Sequence, residues 1–204
     1  MTARAWTRYT LVTAATVEPV TAATLRDQIR SVSDEEDGLL GVYLSAARTT
    51  IENRLGRKLI NQVFDVYFDR FADTLLLPFG PLASTGITSV KYQDSNNTQQ
   101  TAAATYYESA EWCRRPIVRL KYNQVWPSTL GHADDVVIRA TFGYGATAAS
   151  VPSPIRHAIA LLAAHMNENR EPVNVGNIVN TVPLGIESLL ADYGLEMPNE
   201  CYEV

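Results

Sequence analysis

Little in this chain points to a covalent or metal-held framework. Its two cysteines, Cys113 and Cys201, stand far apart in 204 residues with no partners at metal-ligand spacing, which argues against a disulfide scaffold and a zinc site. No apolar run approaches the roughly 18 residues of a bilayer-crossing helix, so no membrane partner is expected. No run of Lys or Arg stands out and the formal net charge is −5. An electrostatic grip on DNA or on an anionic membrane is therefore not suggested. Two arginines precede a short apolar patch near the N-terminus, but threonines interrupt it, making a poor secretory signal.

What remains is ordinary globular composition, 46% hydrophobic and 19% charged, enough for one good-sized domain or two small ones. The stretch from Ser33 to Arg57 predicts a long amphipathic helix. Leu39, Leu40, Tyr43, Ala46, Ala47, Ile51 and Leu55 recur at three- and four-residue steps. Arg48 and Glu52 fall largely off that stripe. Ser33 is placed to cap the helix, and the acids 34–37 sit where its dipole favours negative charge. Gly56 signals its end. Before it, Thr21 to Arg30 predicts a short helix with Leu25 and Ile29 on one side, too short to stand alone. It is expected to fold back as an α-hairpin through residues 31–33. Residues 1–20 are expected to form an extended arm, with Tyr9, Leu11 and Val12 able to lie on a neighbour.

From Asn61 the period changes from helical to two. Residues 61–71 put Phe64, Val66 and Phe68 on one face and Asp65, Tyr67 and Asp69 on the other, as in a half-buried strand. Further strands are predicted at 74–79, 87–93, 105–108, 116–122 and 135–142, with a tight turn at 94–97. About six short antiparallel strands suffice for a small sandwich or a partly closed barrel. Pro152 and Pro154 then introduce a third helix, 154–168, with Ile155, Ile159, Leu162 and Met166 on one side and Ala158 and Ala163 allowing close approach. A polar stretch follows, then a short helix at 186–193 and a tail. The expected class is α+β: arm and helical hairpin (1–60), inserted antiparallel β domain (61–145), core helix (146–170) and C-terminal tail (171–204).

The chemical motifs are weak. Gly143 to Ala148 matches the loose spacing of a dinucleotide loop after a strand, but the prolines delay the next helix and no βαβ crossover follows. His157 and His165 are eight apart on one helix, not the four that lets two imidazoles share a metal, and His132 is in a loop. Ser153 and Ser188 lack a nucleophile-elbow context. Asp65, Asp69, Asp134 and Asp135 read as strand-exposed carboxylates. Neither a catalytic group nor a cofactor or metal site is expected. One basic–aromatic cluster stands out: Arg114, Arg115, Arg119 and Lys121 with Tyr106, Tyr107, Trp112, Tyr122 and Trp126. It suits a protein interface, where Trp, Tyr and Arg are enriched, or a surface for single-stranded nucleic acid.

Several segments in order resemble the phage head–tail connector (adaptor) proteins, in the group with a β domain inserted in the helical connector core. They are EPVTAATLRDQI; EEDGLLGVYLSAARTTIENRLGRKLINQ; LLLPFGPLASTGITSVKYQD; TFGYGATAASVPSPIRHAIALLAAHMNENRE; and VPLGIESLLADYG. The resemblance spans roughly residues 11–194, and its one departure is residues 98–104, which lack the family's turn-then-strand definition.

That resemblance implies a non-enzymatic part of a virion neck, made in the bacterial host cytoplasm. It implies a ring, typically of about twelve copies, whose closure needs two different complementary patches per subunit. Implied partners are the portal protein above and a stopper or tail-side protein below, with double-stranded DNA passing through the lumen without specific binding. The portal contact is expected from the tail, at Leu184, Ile186, Leu189, Leu190, Tyr193 and Tyr202. Contacts between neighbouring subunits are expected at Arg48, Glu52, Trp112, Arg114, Arg115 and Trp126. A ligand- or carbohydrate-binding β module is the rival reading from another class.

Overall fold

A computed structural model describes residues 3–30, 34, 36–112, 114–169 and 184–194. The chain forms two compact units, and the chain passes from one to the other and back.

The β unit comprises residues 3–15 and 56–145. Its strands are β1 (Ala3–Arg4), β2 (Arg8–Thr13), β3 (Gln62–Phe68), β4 (Thr74–Leu76), β5 (Leu82–Gln93), β6 (Gln99–Thr101), β7 (Tyr107–Trp112), β8 (Arg115–Leu120) and β9 (Val136–Phe142). They form two sheets among the described residues, ordered β1-β4-β8-β7 and β2-β3-β9-β5-β6. Every pairing is antiparallel except β1 with β4. Core side chains come from both sheets: Phe64, Val66, Phe68, Val90, Ile138 and Phe142 from one, Leu75, Tyr107 and Val118 from the other. This is a sandwich, and alternation is why β3 joins it. Its residues run buried and half-buried in strict turn, with Phe64, Val66 and Phe68 inward as expected.

Three features differ from the sequence reading. The N-terminal arm contributes two strands, because β2 pairs antiparallel with β3 across five residue pairs. In the stretch 98–104, expected to lack a defined strand, Asp94 holds the entry to β6. That carboxylate accepts from the backbone N–H of Asn96 (2.9 Å) and Thr98 (3.0 Å) and from Gln100 Nε2 (3.0 Å). These bonds hold its pKa below the ordinary value and set β6 against β5. The strand expected at 105–108 lies instead at 107–112, and β5 begins at Leu82 and carries two register shifts before it settles.

The helical unit comprises, among the described residues, 16–30, 34, 36–55, 146–169 and 184–194. Its helices are α1 (Ala22–Ile29), α2 (Asp37–Leu55), α3 (Ser153–Glu168) and α4 (Leu184–Leu190). Thr21 caps α1 by accepting from Thr24 N at 3.2 Å. The helix ends at Arg30 in the left-handed region, φ 56°. The cap expected at Ser33 and the turn 31–33 lie outside the described residues, and α2 starts at Asp37, whose carboxylate pairs with Arg26 at 3.2 Å. Gly56, at φ 65°, follows the last helical residue as the stop signal predicts. The buried stripe of α2 is Leu40, Leu44, Ala47, Ile51, Glu52 and Leu55. It is rotated from the expected stripe: Leu39 and Ala46 are exposed, and Leu44 takes their place.

Helix α3 packs against α1, α2 and α4. It buries Ile155, Ala158, Ile159, Ala160, Leu162 and Ala163. The alanines let a neighbouring backbone approach while the branched residues fill the space between helices. Among the described residues no helix is long and apolar enough to cross a membrane.

Candidate assembly surface

The residues expected at subunit contacts have different local roles. On α2, the Arg48 guanidinium donates from Nε to Glu18 Oε2 at 2.8 Å and lies 3.4 Å from Glu52 Oε2. Glu52 has a side chain only 2% exposed, so one arginine serves a carboxylate that has almost left water. Burial alone pulls the Arg48 pKa down, but the bond to Glu18 and the charges of Glu52 and Glu18 outweigh it and the net shift is upward. The wheel placed Glu52 off the apolar stripe; the structure puts it on the buried face because Arg48 accompanies it.

The basic–aromatic cluster is divided by the sandwich. Trp126 stacks on Phe71, 4.3 Å between centroids and 5° between planes, and donates from Nε1 to Ala72 O at 2.9 Å. Tyr107 stacks behind it at 6.1 Å. Arg115 is buried, with its guanidinium 5.5 Å above the Trp6 ring and Nη1 donating to Leu77 O at 3.3 Å; burial lowers its pKa. Arg119 pairs across the strands with Glu108 at 2.8 Å. Arg114 is exposed in the left-handed region, φ 59°, and Trp112 is half-buried. Of the cluster's aromatics, Trp126 and Tyr107 are thus engaged in ring stacking within the β unit, while Tyr106 and Tyr122 are exposed.

The tail divides similarly. Ile186 and Leu190, expected to be free for the portal, are 1% and 4% exposed, and α4 packs on α3. Leu189 and Tyr193 are half-buried, Glu187 pairs with Arg54 at 2.6 Å, and both the Leu184 side chain and Tyr202 lie outside the described residues. The two apolar residues are four apart on one turn of helix, the spacing that serves a core as well as a partner.

The outer face of the five-stranded sheet carries charge that sequence reasoning did not connect. Asp65 on β3 faces Arg139 on β9 in register, and the guanidinium grips both carboxylate oxygens at 2.7 Å each. Arg8 lies 3.5 Å above the Tyr67 ring and donates to Asp134 Oδ2 at 2.6 Å, while Thr7 donates to Asp134 Oδ1 at 2.7 Å. The Asp134 carboxyl is pushed up by burial, but the bonds from Thr7 and Arg8 and the Arg8 charge hold it below its ordinary 3.8. A carboxylate with a depressed folded-state pKa stabilises above its unfolded value and loses that contribution as the pH falls through the folded one. Stability of the β unit should therefore fall as the pH drops below the ordinary carboxylate range, and Asp134→Asn should flatten part of that slope in urea melts taken across acid pH. An unchanged slope would mean that the Arg8 contact contributes nothing.

Among the clefts of the described residues are one of about 330 Å³ lined by Leu82, Ser84, Ser109, Glu111 and Arg114 among others, and one of about 610 Å³ beside Phe71, Trp126 and Val125. No group of His, Cys, Asp or Glu among the described residues has the geometry to hold a metal ion. The glycine of the rejected dinucleotide motif has a structural task. Gly143, at φ 145°, lies against the backbone of Ile60 and Asn61.

No protein-family model matches the chain, and no curated protein matches its sequence. Solved structures do. The chain is similar to one in the virion of a native gene transfer agent (GTA) particle, with a TM-score of 0.75 at 25% identity, covering 93% of this chain and 96% of that one. With the same coverages and 24% identity, it is similar to a chain in the neck of an empty GTA particle computed with C6 symmetry (TM-score 0.72). A chain in the neck of a native GTA particle computed with C12 symmetry is also similar (TM-score 0.67, 24% identity, the same coverages). The α+β class expected from sequence is thus a fold that these virion and neck structures contain.

Proposed function

We propose that this chain is a structural head-to-tail adaptor of a tailed phage or phage-like particle. Copies form a ring below the portal, extend the DNA channel and present a platform to a stopper or tail-side protein. The observation that carries this reading is the similarity, over 93% of the chain, to a chain in a GTA virion, together with the match to GTA neck structures. The proposed ring has twelve copies, a number with which the C12 symmetry of one of those necks agrees; the other was computed with C6 symmetry. The net charge of −5 suits a channel wall past which DNA slides without sticking. The protein's place is the virion neck, and its work is assembly.

Native mass measurement of the protein alone and co-purified with its portal tests this. The expected species is a closed multimer on the portal; a chain that stays monomeric in both samples overturns the reading. The portal contact is proposed to lie at the C-terminal end, at Leu184, the half-buried Leu189 and Tyr193, and residues beyond Gly194, including Tyr202. The informative truncation therefore begins after Gly194. A cut at 171 also removes Ile186 and Leu190 from their packing on α3 and confounds docking with folding. Loss of docking by the shorter truncation, with α2 and α3 still folded, is the expected result.

A further inference from the structure

Tyr122 and Val125 are the most exposed large apolar side chains among the described residues, at 98% and 81%. Their loop is nonetheless pinned at both ends. Lys121 N donates to Tyr106 O at 2.9 Å, Gln124 N closes a turn onto Lys121 O at 3.2 Å, and Trp126 is held by its stack on Phe71 and its bond to Ala72. A pinned apolar tip loses little freedom on binding, which is the property of an anchor. From Lys121 to Pro127 the loop carries one positive charge and no negative one.

The 330 Å³ cleft is its complement on the same unit. Leu82, Ala110 and Pro116 give it apolar walls, and Glu111 and Arg114 stand at its margin. The volume accommodates a phenol ring. Arg114 can lie against the ring face, and the exposed Glu111 carries the charge opposite to that of Lys121. Cleft and tip lie at opposite ends of β8, about 17 Å apart for a six-residue strand at 3.3 Å per residue. Two different patches at opposite ends of one element make a head-to-tail contact, the kind that closes rings.

We propose that the Tyr122–Val125 tip of each copy inserts into the Leu82–Glu111–Arg114 cleft of the next copy. This rests on the ring reading above and names the surface that builds the ring. The test uses the full-length chain. Tyr122→Ala combined with Val125→Ser removes the tip; Ser109→Trp fills the cleft from an exposed position. Each should raise the protein concentration needed for ring formation at least about tenfold, as loss of an interface anchor does, with the thermal midpoint of the free chain unchanged. A photo-crosslinking residue at 122, in rings mixed from isotopically light and heavy copies, should attach to residues 81–86 or 109–116 of a different copy. Rings forming at the wild-type concentration from both variants, or cross-links mapping elsewhere, overturn this proposal and leave the ring intact. A wild-type chain that forms no ring overturns both.

Discussion

Gly143→Ala is expected to lower the stability of the β unit by about 3–5 kcal/mol, a large share of the roughly 5–15 kcal/mol that holds a domain folded. Two causes add. The residue adopts φ 145°, a conformation L side chains rarely take. A Cβ built on it would fall 2.6 Å from Asn61 N, 2.7 Å from Asn61 Cα and 2.7 Å from the Ile60 carbonyl carbon. These are backbone atoms, unable to swing aside as a side-chain tip would. They are also tied in place: Gly143 N donates to Pro81 O at 2.9 Å, Tyr144 N to Leu59 O at 3.1 Å, and Asn61 N to Gly145 O at 2.9 Å. The chain segments entering β3 and β5 and leaving β9 meet there, so relief of the clash has to break a junction. All three tryptophans, Trp6, Trp112 and Trp126, lie in the β unit, so urea unfolding followed by tryptophan fluorescence reads that unit directly. Gly41→Ala is the contrasting control. A Cβ there meets nothing within 4 Å on a helix, and the change should stabilise α2 by up to about 1 kcal/mol. A loss below about 1 kcal/mol for Gly143→Ala would show that the junction yields.

Arg48→Met should cost the helical unit about 3 kcal/mol in the free, unassembled chain. The substitution keeps the aliphatic stem but removes the guanidinium shared by Glu18 and Glu52, leaving the Glu52 carboxylate in a site only 2% exposed without that counter-charge. Hydrogen exchange of the α2 amides, at concentrations too low for assembly, measures it. The outcome separates two roles. An arginine reserved for a neighbouring subunit leaves the free chain as stable as before and weakens the ring; an arginine that holds its own unit together destabilises α2 before any ring exists. If the exchange rates do not move, Arg48 belongs to the contact between copies.

Both effects arise where local pattern and long-range geometry disagree. Gly143 stood in a motif that resembled a phosphate loop, and its real constraint comes from a backbone some eighty residues earlier in the chain. Arg48 and Glu52 fell off the expected apolar stripe because a helical wheel reports spacing and not orientation: a shift of one position turns the stripe by about 100°. That shift exposed Leu39 and buried Leu44 and Glu52. The basic–aromatic cluster was compact in sequence, and the sandwich separated it, drawing Trp126 and Tyr107 into ring stacking and sinking Arg115 beside Trp6.

The sequence by itself determined the kinds of element where its periodicity is strong. The two-residue alternation from Gln62 to Phe68 imposes a strand with one buried face, and the apolar spacing of Ile155, Ile159 and Leu162 behind two prolines imposes a helix. Those are local constraints, written in neighbouring residues. Tertiary structure alone decided which strands became neighbours and hence which charges met. Asp65 and Arg139 are separated by 74 residues and share a bidentate bond only because β3 lies beside β9 in a particular register. It also decided that β2 and β6 would form the outer strands of that sheet, that Ile186 and Leu190 would join α3, and that the Tyr122 tip and the cleft at the start of β8 would stand at opposite ends of one strand. Pairing partners are selected by the packing of the whole core, and periodicity carries no record of them.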